Sequence, residues 1–511
     1  MGQERPDLWP SGFSDAAAAP VGLGVNPAWS DDAHLLWAWR DFVDSGSTPF
    51  AIPGHKRRAG ALDPTYGRLL DADAPLYGGI DTMRLSGGLL VDAEQRAAAA
   101  WGGDWCRFSV GGSSHANQAV ALALGEPGAT VLVGRTAHRS TLLGLVLAGL
   151  RPVWLDGDID DRFGIPVGLS LASLERALVQ HPDAVGVLCV EPSYMGTLGD
   201  VSAVVELAHA HDVPVVVDQA WGSHLGFAPG YPGHAMAAGA DAMVCSAHKT
   251  LPAFSQASFL IARTERLDVD RLERGFDATA TTSPSGAILA SIDAARALVG
   301  SPTGRELLLN LAGRAVTLRH TLRRAGFLMP GPDDFPGRFD PAKLVIMTAL
   351  AGVSGLDIER RLQEAGIYVE MADHDTVVPI ATMLDDDETF GRLTDVILSA
   401  ASLGSAGGAP RPARVAGQWG GLAPQRLTPR QAFFADRETI SFDAAVGRTS
   451  AEVIAPYPPG VPVLVPGEEV TGDVIHRLRN ARSAGLRIAY AADPTLATVQ
   501  VLPESRPGST T

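Results

Sequence analysis

The chain has 511 residues, 46% of them hydrophobic and 19% charged, which suits a large packed α/β domain with a smaller companion and excludes a disordered chain. With 41 basic and 57 acidic residues the formal charge is −16, which argues against nucleic acid or an anionic membrane as a partner. No apolar run is long enough to span a bilayer, and the first twenty residues lack a basic segment followed by an apolar core, so a cytoplasmic location is expected.

In chain order, residues 1–45 read as an Ala/Pro/Gly-rich arm followed by a helix in DDAHLLWAWRDFVDSG. A large domain is expected over 46–300. Within it, short apolar runs alternate with helical patterns. Strands are expected at ATVLVG (129–134), RPVWLD, AVGVLCVEP (184–192), VPVVVDQA (213–220), DAMVCSAHK (241–249) and ASFLIAR (257–263). Amphipathic helices lie between the first four of them, in HRSTLLGLVLAG, LASLERALVQH and VSAVVELAHAHD. Apolar strands separated by such helices indicate a mainly parallel sheet covered on both faces, with ligands at its carboxyl edge. A long helix over 304–327 opens a small α/β unit, 301–403. A Gly/Pro/Ala-rich linker (404–417) follows, then a turn-rich C-terminal segment, 418–511. Of the three cysteines, Cys106, Cys189 and Cys245, the last two sit in apolar runs and read as buried small hydrophobes, not disulfide partners or metal ligands.

Lys249, in SAHKTL, stands at the end of an apolar strand beside His248 and Ser246. Its plain alternative is a solvated strand-end lysine. An aldehyde cofactor needs such an amine, and a nearby hydroxyl suits its phosphate. Asp218 ends VPVVVD, one βα step earlier; alone it could be a helix cap. Beside a pyridine nitrogen, its carboxylate would keep that nitrogen protonated. The turn FSVGGSSHANQAV opens a helix whose N–H groups, with Ser113 and Ser114, can cradle a phosphate, although a plain capped helix reads equally well. His138 in GRTAHRS could stack a flat ring on a cofactor or sit in solvent. Trp221 and His224, just after Asp218, are candidate pocket walls or core residues.

These segments, taken together, resemble the bacterial ornithine/lysine/arginine decarboxylases of pyridoxal-5′-phosphate fold type I, the aspartate-aminotransferase-like fold. The resemblance rests on PFAIPGHKRRAG (49–60), GGSSHAN, RTAHRS, DQAWGSH, SAHKTLPAFSQASFL, TTSPSGAILASID (281–293) and GRTSAEVIAPYPPGVPVLVPGE (447–468). It implies a seven-stranded-type sheet and a Schiff base between Lys249 and pyridoxal phosphate. It also implies Asp218 at the pyridinium, His138 stacked on the ring, and Ser113, Ser114 and Ser246 at the phosphate, with Trp221 lining the site. His248 or Lys249 would return a proton to Cα after CO₂ leaves. PGHK begins at Pro53, which implies the short form of the family, without an N-terminal wing. His115 stands inside the phosphate turn, where the family more usually has a small or branched residue.

The activity implied is decarboxylation of lysine, arginine or ornithine by a homodimer whose TTSPS segment reaches the partner's cofactor. Two other readings keep the same Lys249 and Asp218: an aminotransferase or lyase, and a catalytically silent regulatory homologue. A basic substrate calls for a carboxylate at its distal charge. By resemblance Glu468 is the candidate, with His224 also near the substrate; Glu452 is the alternative, and a solvated turn glutamate is the plain reading of Glu468.

Overall fold

The computed structural model describes residues 28–45, 52–71, 73, 88–403, 421–457 and 461–504. Most of the N-terminal arm, the start of PFAIPGHK, the 404–417 linker and the PPG of PYPPG therefore lie outside the described residues. The large domain is built on one seven-stranded sheet. Its strands are β1 (Trp105–Ser109), β2 (Thr130–Gly134), β3 (Arg151–Leu155), β4 (Val187–Val190), β5 (Val215–Asp218), β6 (Ala242–Ser246) and β7 (Ser258–Ala262). They are ordered β1-β7-β6-β5-β4-β2-β3. All neighbours pair in parallel except β7, which runs antiparallel to both β1 and β6.

The continuous apolar runs are explained by burial on both faces. Successive side chains of a strand point to opposite faces. Val215, Val217, Met243 and Cys245 enter one core, while Val216, Ala242 and Val244 enter another on the opposite face. All three cysteines are buried and unpaired, and burial pushes their thiols above the ordinary value. The carboxyl ends of β1, β5 and β6 share one edge, so the turn after Ser109, Asp218 and Ser246 meet there.

The long helix forms over Pro302–Arg324, with Ser301 Oγ accepting from Gly304 N and proline in the first turn, where its missing N–H is harmless. Beyond it lies a three-stranded sheet (Ile346–Met347, Thr376–Val378, Met371–Ala372) against the helices Gly355–Glu364 and Asp387–Leu403. Leu308, Met329, Val377 and Ile397 belong to the same core as Val215 and Met243, so this unit shares its interior with the large domain. The C-terminal segment instead has its own core of Phe442, Ile454, Leu464, Val474, Leu478 and Val499 around the helix Gly472–Ser483. Among the described residues no helix is long and apolar enough to cross a membrane.

Candidate active site

A cavity of about 450 Å³ opens at the carboxyl edge of the sheet. It brings together Ser113, Ser114, His138, Asp218, Trp221, Ser246, His248 and Lys249, eight of the eleven candidate site residues singled out from sequence. Tyr457 and Val461 close it from the C-terminal segment.

The turn after β1 leads into the helix Gly112–Leu124 through Gly112, whose φ of +68° suits a residue without Cβ. The first N–H groups of a helix have no partner within it and favour an anion. Ser113 Oγ and Ser246 Oγ lie 2.7 Å apart, tying this turn to the end of β6. His115, unexplained by sequence, holds the turn from behind. Its Nε2 donates to the carbonyl of Phe276 at 2.9 Å, so Nδ1 is left to accept from Ser109 Oγ at 2.7 Å. Burial keeps the ring below its ordinary pKa, which favours this neutral form.

Asp218 is 6% exposed at the end of β5. Its Oδ1 accepts from Ala220 N at 3.1 Å, and its Oδ2 accepts from Asn117 Nδ2 at 2.8 Å. Asn117 Nδ2 also donates to Ser140 Oγ, whose hydroxyl in turn meets His138 Nδ1 at 2.8 Å. One hydrogen-bonded chain thus orients the carboxylate and the His138 ring. Burial holds His138 below its usual pKa, with Asp218 opposing.

The strand expected to reach residue 249 ends at Ser246, and Lys249 stands on a single helical turn, Ala247–Thr250. Its Nζ lies 4.3 Å from the centre of the Trp221 ring. Burial lowers its pKa, while Asp218 and Glu370 pull the other way, so more of the amine is neutral and nucleophilic than for a surface lysine. His248 donates Nδ1–H to the Ala257 carbonyl at 2.9 Å, and burial lowers its pKa, which leaves Nε2 with a lone pair.

These groups suit pyridoxal phosphate: an amine kept partly neutral, a fixed buried carboxylate, and a hydroxyl-lined helix N-terminus, all on one cavity. The Orn/Lys/Arg decarboxylase major-domain model matches residues 34–332, and the C-terminal-domain model matches 422–487. The chain belongs to the Orn/Lys/Arg decarboxylase family. It is 34% identical over 472 residues to an arginine decarboxylase of Bacillus subtilis, covering 89% of this chain and 95% of that one. A similar arginine decarboxylase from Halalkalibacterium halodurans is 34% identical over 466 residues, covering 89% and 94%. The solved constitutive lysine decarboxylase of Escherichia coli superposes with a TM-score of 0.75 at 23% identity, over 93% of this chain and 82% of that one. A serine palmitoyltransferase solved with its pyridoxal phosphate gives a TM-score of 0.52 at 16% identity, over 73% and 85%, the same fold.

Within this decarboxylase fold, three residues singled out from sequence are placed elsewhere. Glu468 does not reach the cavity. It is fully buried against Arg135, whose Nη1 and Nη2 donate to Oε1 at 2.7 Å and Oε2 at 3.0 Å, and Val465 N donates to Oε2 as well. Glu452 is also occupied, accepting from the N–H groups of Gln500 and Ala492. His224 is buried away from the cavity, its Nε2 at 3.1 Å from Asp340. The exposed Thr281 and Thr282 of TTSPS, with Arg107, Glu94 and Glu273, line a separate cavity of about 840 Å³. Sequence reasoning missed Asn117, although it stands in the quoted GGSSHAN. It also missed Tyr194, which lines the cavity edge-on to Trp221 at 5.3 Å, and Lys343 behind them.

Proposed function

We propose that the protein is a pyridoxal-5′-phosphate-dependent arginine decarboxylase, releasing CO₂ and agmatine, and that it works in the cytoplasm as a homodimer. Decarboxylation of a basic amino acid is the activity of the family to which the chain belongs. Arginine is favoured over lysine and ornithine because the full-length relatives at 34% identity carry that name. The observation that carries the cofactor assignment is the convergence of Lys249, Asp218 and the Ser113–Ser246 turn on one cavity.

Lys249 would hold the cofactor through its aldehyde carbon, and Asp218 would hold a proton on the ring nitrogen. Ser113, Ser114 and Ser246, with the helix N–H groups, would receive the phosphate, and His138 offers a flat neutral ring. When bound, pyridoxal phosphate supplies an electron-poor ring able to take up the electron pair left on Cα as the bond to the carboxylate breaks. Trp221 and Tyr194 keep water from the reacting carbon. Lys249, or His248 once its Nε2 has taken up a proton, then delivers a proton to Cα. Preorganised charge around the ring, with Asp218 fixed by Asn117, is the main contribution of the chain.

The test is product analysis of the full chain supplied with arginine, lysine and ornithine. Agmatine and CO₂ in equal amounts from arginine, with much lower kcat/KM for the others, are expected. A keto acid would point to an aminotransferase, and absence of any product or bound cofactor to a silent homologue. Sedimentation of the active species tests the dimer.

A further inference from the structure

Lys343 is 7% exposed, and its Nζ has no hydrogen-bond partner among the described residues. It lies 4.6 Å from the centre of the Tyr194 ring and 4.4 Å from that of Trp221. Both rings line the cavity, of which Lys343 itself is not a lining residue. Since Lys249 Nζ also sits on Trp221, the two nitrogens are within about 9 Å of each other. The hydroxyl of Tyr194 is likewise buried without a partner. A buried cation is normally paired, because removing it from water carries a large penalty. Here the partners at hand are occupied or distant. Asp340, three residues back, accepts from His224 and from Ala342 N, and makes no ion pair with Lys343. Glu370 acts on both lysines only through space, from an exposed position. Arg319 binds the Lys343 carbonyl and fixes the backbone, not the charge. The segment is packed tightly: a Cβ on Gly196 would lie 2.6 Å from Cβ and Cγ of Lys343.

We propose that Lys343 sets the direction in which the amino acid lies in the cavity, its charge, held without a direct hydrogen-bond or ion-pair partner, drawing the α-carboxylate toward the Trp221–Tyr194 wall and turning the distal cation toward the mouth. This rests on the reading of the cavity as a basic-amino-acid site. Lys343 is not itself part of the cavity lining and acts through Trp221 and Tyr194, which are, so it is a positioning residue. Of the two charged ends of the side chain and carboxylate, one is attracted and the other repelled. At a separation near 8 Å and an effective dielectric of about 20, the attraction corresponds to roughly tenfold or more in affinity. Burial lowers the Lys343 pKa to about 8, with Asp340 and Glu370 opposing and Lys249 reinforcing the shift. An arriving carboxylate raises it again, so binding near pH 8 takes up part of a proton.

The test uses two ligands that lack the α-amine and cannot react with the cofactor, namely 5-guanidinopentanoate, which keeps the carboxylate, and butylguanidine, which does not. Calorimetric titrations of the full-length, cofactor-loaded wild type are compared with K343M, which keeps the volume and removes the charge, and with K343Q. The expected result is about tenfold weaker binding of the acid in both variants, with butylguanidine unchanged or tighter. Proton uptake by the acid near pH 8, read from two buffers of different ionisation heat, should disappear. A purely structural role would weaken both ligands equally, and either that outcome or no change in their ratio overturns the proposal. If the wild type binds neither guanidine and releases no CO₂ from arginine, it is the cavity assignment that falls; if another basic amino acid is turned over, its own pair of analogues replaces these.

Discussion

Glu468→Gln separates two roles for the carboxylate of the C-terminal PGE. The Arg135 and Glu468 side chains are 3% and 0% exposed and joined by two parallel hydrogen bonds. Arg135 also donates to the carbonyl of Val463, so the pair fastens the 463–468 loop to the end of β2. Glutamine keeps one acceptor but turns the other oxygen into a donor facing the guanidinium. It leaves Arg135 buried without a counter-charge. Breaking one side of such a pair costs about 3–5 kcal/mol. Since each 1.4 kcal/mol is tenfold, amides around 450–470 should exchange at least roughly a hundredfold faster where local opening governs exchange. Hydrogen exchange read by mass spectrometry checks this, alongside KM for arginine at a temperature where the variant is folded. KM should change far less than the exchange rates, because the carboxylate is not itself part of the cavity lining. The double variant R135M/E468L should recover much of the lost protection, since the desolvated charges go together. A large rise in KM with unchanged exchange would refute the clamp and return Glu468 to the substrate.

Lys249→Ala should lose the cofactor adduct that borohydride fixes on the 249 peptide, as seen by mass spectrometry, and turnover with it. Asp218→Asn should still take up cofactor while kcat falls by roughly a hundredfold or more, measured as CO₂ release. Asn117→Ala removes a hydrogen bond to a buried carboxylate and should lower kcat about tenfold, with little change in thermal stability beyond that of one buried bond. Glu191 is buried with its pKa raised to about 8, desolvation outweighing the hydrogen bonds from Gly199 and Leu169. Its folded pKa exceeds the unfolded value near 4.5, so the folded state holds the extra proton and stability falls as pH rises between these values. Urea unfolding should show a loss on the order of 2–3 kcal/mol from pH 5 to pH 7, and Glu191→Gln should flatten that slope.

The strands that carry the site were legible because burial on both faces forces uninterrupted apolar runs. β5 and its terminal Asp218 stand where VPVVVD places them. β1 was not seen: Trp105–Ser109 is short, and Arg107 interrupts its apolar pattern to bond Glu94 and Glu273. The reversed direction of β7 is invisible in ASFLIAR itself. It follows from the connection 247–257, which is too short for the crossover a parallel strand needs. The Asp218–Asn117–Ser140–His138 chain was half legible, since all four residues sit in quoted motifs, but which atoms meet depends on the packing of three elements. Glu468 was misplaced for a similar reason: its partner lies 333 residues away, and nothing local distinguishes a clamped glutamate from one facing a ligand. Lys343 stands in no recognised segment and gains meaning only beside Tyr194 and Trp221.

The cavity lining runs from Gly111 to Val461. A chain emerging from the ribosome therefore displays Lys249, Asp218 and the phosphate turn long before the side contributed by Tyr457 and Val461 exists. Until residue 468 arrives to meet Arg135, that side also lacks its fastening. Since domains generally fold as units during synthesis, the large domain has time to order its sheet while the nascent site is still open to bulk solvent. Loading of the cofactor before release would meet a wide cleft, and loading afterwards one narrowed by Tyr457 and Val461. A product cut short before Tyr457 would keep every charged group of the site and lack the wall that excludes water from it.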